Sequence, residues 1–129
     1  MPALDARSLI AAAASAAQSE QWDDVLSLVH AALAVDTGSP RAWALAGLAH
    51  EAKGDLPQAR QALERAVSMD ERDLSTALAC ARVQAQTGAT DAARALAGYV
   101  LLHEQNAPAL RAEAQALVGS LANAGEGRP

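Results

Sequence analysis

The chain has 129 residues, a formal net charge of -5, 51% hydrophobic residues and only 2% aromatics. Thirty-five residues are alanine and none is phenylalanine, and alanine is the best helix former while adding little volume, so an all-α protein with close-packed helices and a shallow core is expected. The ten basic residues are scattered, which leaves no clustered Lys and Arg for nucleic acid or an anionic membrane, and no run of about 18 apolar residues is available to span a bilayer.

The first stretch, LIAAAASAAQ from Leu9 to Gln18, has two readings: a first helix, or the short apolar run of a secretory signal ending in Ala-x-Ala. Asp5 balances Arg7 just before it and the alanine tract is weakly hydrophobic, which favours the helix. From here on the chain matches itself at a shift of 34 residues, a period that signals stacked helical hairpins. Small residues recur at Ala13, Gly47 and Ala81, and again at Ala32, Ala66 and Val100. A break between helices recurs at Glu20, Gly54 and Gly88, followed five residues later by Val25, Ala59 and Ala93. Acidic residues close each unit at Asp36, Asp70 and Glu104. The expected organisation is a single domain over 1–129, with repeats at about 6–39, 40–73 and 74–107, a capping helix at about 108–123 and a disordered tail at 124–129.

The second unit carries the clearest pattern, AWALAGLAHEAKGDLPQARQALERAV from Ala42 to Val67. Leu45, Leu48, Ala49 and Ala52 form one helical stripe, and Leu56, Ala59, Leu63, Ala66 and Val67 form another, so the two stripes are expected to face each other. Gly47 interrupts the first helix. An interior Gly costs about 1 kcal/mol against Ala, which a helix tolerates where another backbone presses close. Pro40 and Pro108 suit the first turns of helices, with Ser39 or Asn106 near enough to help cap, and Asp73 is the expected cap of the fifth helix. In the third unit, the single cysteine, Cys80, falls in the apolar phase of its helix and reads as a small core residue.

Residues that could carry chemistry are few. His30, His50 and His103 belong to three different hairpins and lack metal-ligand spacing. Asp23-Asp24 and Glu71 with Asp73 are carboxylate pairs at turns, where capping and the helix dipole already account for them. No phosphate loop or nucleophile elbow is present, so neither catalysis nor a cofactor or metal is expected. Trp22 and Trp43 read as packing anchors.

Trp43, Ala46-Gly47, Ala59, Leu63 and Ala66 resemble the tetratricopeptide repeat, with His50 where that family has Tyr and Glu71 where Pro is common. The resemblance covers roughly residues 6 to 107 and implies a right-handed superhelical stack of three helical hairpins plus the C-terminal capping helix. Its inner surface would be lined by the first helix of each unit. Carried over position by position, the inner residues are Arg7, Ile10 and Ala14, then Arg41, Ala44, Leu48 and Glu51, then Leu78 and Arg82. They make an apolar floor with three arginines, suited to a peptide or helix of a client protein bearing apolar anchors and carboxylates. Solvated or locally paired arginines are the plainer alternative. Ile10, Ala14, Ala44 and Leu48 stand where chaperone-tail-binding repeats carry Lys and Asn, so no carboxylate clamp is implied.

The small acidic format is also similar to the translocator chaperones of bacterial type III secretion, as is GATDAARALAGYVLLHEQNAPALRAEAQALVGSL. That resemblance implies a cytoplasmic chaperone or adaptor. Two rivals stay open: a self-assembling scaffold or homo-oligomer acting through its end faces, and a regulatory module beside an enzyme. On the groove reading, Leu48→Glu or Leu78→Glu weakens client binding with helical content unchanged.

Overall fold

The computed structural model describes residues 5–126. Seven helices follow in order: α1 (Ala6–Gln18), α2 (Trp22–Val35), α3 (Pro40–Ala52), α4 (Leu56–Met69), α5 (Leu74–Gln86), α6 (Thr90–His103) and α7 (Pro108–Glu126). There is no strand among the described residues. The final helix therefore continues beyond residue 123, and of the tail expected to be disordered, residues 127–129 lie outside the described residues.

Two compact units divide at Asp70 and Glu71. In the first, α1 pairs with α2 and α3 with α4, and the hairpins join through α2 on α3 and α1 on α3. In the second, α5 pairs with α6, and α7 packs on both.

Local signals repeat with the sequence period. Asp5 accepts from the Ser8 N–H at 2.8 Å, Ser39 from Ala42 at 3.3 Å and Asp73 from Thr76 at 3.1 Å, so the first helix of every repeat starts on a side-chain cap. The bond from the Ser8 backbone N–H, joined by its hydroxyl, holds the Asp5 carboxyl below its ordinary value. A carboxyl depressed by folding stabilises above its ordinary pKa, and that contribution is lost as the pH falls through the lowered one.

The three hairpin turns share one construction. Gln21 N–H reaches Ala16 C=O at 2.9 Å, Asp55 reaches His50 at 2.9 Å and Ala89 reaches Gln84 at 2.8 Å. Each bond spans a residue of positive φ: Glu20 at 56°, Gly54 at 83° and Gly88 at 90°. This is the left-handed C-terminal cap that glycine fits without penalty, and Glu20 occupies it with a side chain.

Two of the acids that close the repeats have a definite task. Asp36 Oδ1 accepts from the Gly38 N–H at 2.9 Å, and Glu104 Oε1 accepts from both the Asn106 and Ala107 N–H groups at 2.7 Å. The turn before α7 is thus held by Glu104, where the sequence pointed to Asn106. Arg111 adds bonds to the carbonyls of Leu101 and Glu104 at 2.7 and 3.3 Å, closing the open end of α6.

Packing follows the small residues. Ala13, Val25, Ala32, Ala59, Ala66, Ala81, Ala93 and Val100 are each at most 2% exposed, and Gly47 is buried. A Cβ at Gly47 would overlap Leu63 Cγ and lie 2.6 Å from Leu63 Cδ2 and 3.3 Å from its backbone N. Leu63 itself is fully buried, so it has little freedom to retreat. The expected facing of two stripes needs correction: Ala52 is exposed, while Leu45 and Ala49 join a core with Leu9, Val25 and Val29 of α1 and α2. Contact with α4 runs through Gly47, about 160° around α3 from Leu45 at ~100° per residue. Cys80, at 1% exposure, is the small core residue expected.

Two stability outcomes follow from this packing. Gly47→Leu should lower unfolding free energy by at least the 1–3 kcal/mol typical of overpacking, read by urea denaturation; unchanged stability would refute the close contact. Glu20→Gly should raise it by about 0.5–1 kcal/mol by relieving the left-handed backbone, and a loss would show that the Glu20 side chain compensates.

Candidate peptide-binding face

The expected inner residues divide between the two units. In the first, α1 supplies Arg7, Ile10 and Ala14, and α3 supplies Arg41, Ala44, Leu48 and Glu51; the two helices touch. Steps of three and four residues keep each set on one side of its helix. Ile10 and Ala44 are buried and form the floor. Ala14, Leu48 and Glu51 are half-buried, and Arg7 and Arg41 are exposed. The result is a shallow apolar strip with a cation at the start of each helix.

Those cations run against local helix electrostatics. Arg7 and Arg41 sit in first turns, where the helix dipole favours anions, and Glu51 sits in the last turn of α3, where it favours cations. The opposition costs a few tenths of a kcal/mol per charge at an exposed site. The helix dipole therefore does not account for the placement of Arg7 and Arg41. Arg7 does help to lower the pKa of its neighbour Asp5.

In the second unit the expectation fails for Leu78. It is 1% exposed, among the largest fully buried side chains, and so cannot be reached by a client without opening the unit. Arg82, one turn later on the same face, donates to Glu113 of α7 at 2.9 Å. The closing helix therefore covers this face of α5, and Arg82 is locally paired.

The other chemistry-bearing residues have structural surroundings. Asp23 pairs with Lys53, and Asp73 caps α5. His50 Nδ1 lies 3.9 Å from Asp55, His103 Nδ1 lies 3.0 Å from the Tyr99 carbonyl, and His30 is exposed. Among the described residues no group of three His, Cys, Asp or Glu side chains is placed to hold a metal. Trp43 is half-buried, its Nε1 donating to the Thr37 carbonyl at 3.1 Å, and the Arg65 guanidinium lies over its ring at 4.6 Å. Arg65 was not singled out in the sequence; its only signal was the spacing of three residues from Ala62 and seven from Gln58 along α4.

Residues 16–75 match the tetratricopeptide repeat family. No curated protein matches the sequence of this chain. Its fold is similar to the type III secretion translocator chaperone SycD of Yersinia enterocolitica, with TM-score 0.84 and 15% identity over 96% of this chain and 90% of that one. PcrH of Pseudomonas aeruginosa aligns with TM-score 0.77 and 22% identity over 91% of each chain. The first repeat domain of Spaghetti (RPAP3), solved with an HSP90 peptide, aligns with TM-score 0.84 and 14% identity over 95% of this chain and 94% of that one. Every helix of the expected all-α repeat fold is thus present, and none of the described helices is long and apolar enough to cross a membrane.

The burial of Leu78 makes a direct forecast. Leu78→Glu should destabilise by about 3 kcal/mol or more, because a carboxylate would enter the interior unpaired. Retained thermal stability and helical circular dichroism would return Leu78 to the accessible row.

Proposed function

We propose that this protein is a peptide-binding chaperone or adaptor that holds a segment of a client chain against the α1 and α3 face of its first unit. One observation carries the reading: Arg7 and Arg41 stand at helix starts where they oppose the dipole, beside an apolar strip of Ile10, Ala14, Ala44 and Leu48 that leaves Leu48 half-exposed. An extended segment can set apolar side chains on the strip and carboxylates or carbonyls on the arginines.

The neighbours support this class of partner. SycD is solved with a peptide of the translocator YopD, and PcrH, which is 25% identical to this chain in that complex, with the chaperone binding region of PopD. By that analogy the client is a secretion translocator bound in the cytoplasm before export. The positions tied to chaperone-tail clamping hold Ile10, Ala14, Ala44 and Leu48, which cannot donate the side-chain hydrogen bonds such a clamp uses.

A displayed library of Leu- and Pro-bearing segments supplies the test. Selected peptides should protect α1 and α3 amides from hydrogen exchange, and Leu48→Glu should weaken them at least tenfold with the melting temperature little changed. Normal binding by that variant would end this reading. Growth in mass with protein concentration, without any peptide, would instead support the self-assembling scaffold.

A further inference from the structure

The side of α3 turned away from the inner strip borders a cleft of about 900 Å³ within the first unit. Trp43, Ala46 and His50 form its floor, about 150° around the helix from Arg41, Ala44, Leu48 and Glu51. Leu26, Val29 and Leu33 of α2 make an apolar wall, and Gln58, Gln61 and Arg65 of α4 a polar one. All three sets repeat at steps of three and four residues, so each helix presents one straight row about two turns, or ~11 Å, long. The space is open because small or polar residues stand at the bordering positions: Ala46 and Ala62 put only methyl groups into it.

The two walls differ in chemistry, and that selects the occupant. Glu64 at the rim is bonded to Arg60 at 3.1 Å, whereas Arg65 is stacked on Trp43 at 4.6 Å and brings a cation to the edge of an apolar cleft. Trp43 is in turn anchored by its bond to Thr37. A guanidinium held by an indole is pre-positioned for a carboxylate, and this local positive edge lies on a chain of net charge -5. His30 and His50 line the same cleft as further donors.

We propose that this outer cleft is a second docking site, taking an acidic amphipathic helix of a partner chain about two turns deep. Its apolar side rests on the half-buried Leu26 and Leu33 while a carboxylate meets Arg65. The site is independent of the α1 and α3 strip, since it uses the opposite side of α3.

The test uses the full chain and a fluorescein-labelled 14-residue peptide with Leu at positions i, i+3, i+4 and i+7 and Glu elsewhere, read by anisotropy. A second peptide carries Lys in place of every Glu. Net charge alone would favour the Lys peptide, so at least tenfold tighter binding of the Glu peptide is the expected and diagnostic result. Arg65→Glu, at an exposed position, should cost at least tenfold, and Ala46→Leu should fill the floor and cost as much. Leu48→Glu should leave the affinity unchanged, which separates failure here from failure of the inner strip. Equal or stronger binding of the Lys peptide, indifference to Arg65→Glu, or loss on Leu48→Glu would each overturn the proposal.

Discussion

The contact of Gly47 with Leu63 sets the terms for the first unit. With no side chain at Gly47, the Leu63 side chain lies against the α3 backbone, and Ala59 and Ala66 keep the same face of α4 low on either side. Helices that approach this closely gain dispersion contacts from their backbones, which partly replaces the large side chains that a chain without phenylalanine does not have. The cost is a core with little volume in reserve. Its interior depends on a few aliphatic residues, Leu63, Val25 and Val29 among them, and the loss of one cannot be absorbed by neighbours that are mostly alanine.

Chain direction is set by local devices that repeat with the same period. A side-chain cap starts each first helix, a left-handed residue ends it, and a carboxylate after the second helix gathers the loop N–H groups at Asp36 and Glu104. These bonds satisfy orphaned helix-end groups within a few residues of themselves. They help to fix where each helix stops, which is why the small, alanine-rich helices have definite ends. Glu20 shows that the turn geometry is imposed by the hairpin, since this residue adopts the backbone that Gly54 and Gly88 take freely.

A single helix, α3, supplies two surfaces of different character. One side carries a shallow strip whose charges oppose the helix dipole, and the other floors a cleft with an apolar and a polar wall. Between them lie the buried positions that tie α3 to its neighbours. Both surfaces depend on the same small residues: Ala44 keeps the strip low, and Ala46 keeps the cleft open. An economy of side-chain volume therefore shapes these two surfaces as well as the packing.

The sequence by itself determined the helices, their breaks, the caps at Ser39 and Asp73 and the small buried positions, because each depends on residues within one turn or on a strict recurrence. It also put Arg7 and Arg41 at the starts of their helices. It could not decide which side of a helix would be covered. Leu78 occupies the repeat position of an accessible residue, yet the face it shares with Arg82 is closed by α7 through Glu113. Leu45 and Ala49 likewise turned toward α1 and α2, leaving Gly47 to meet α4, and Arg65 acquired meaning only when Trp43 was brought beneath it. Periodicity records which residues share a face, whereas exposure depends on what packs against that face, and only the assembled helices settle that.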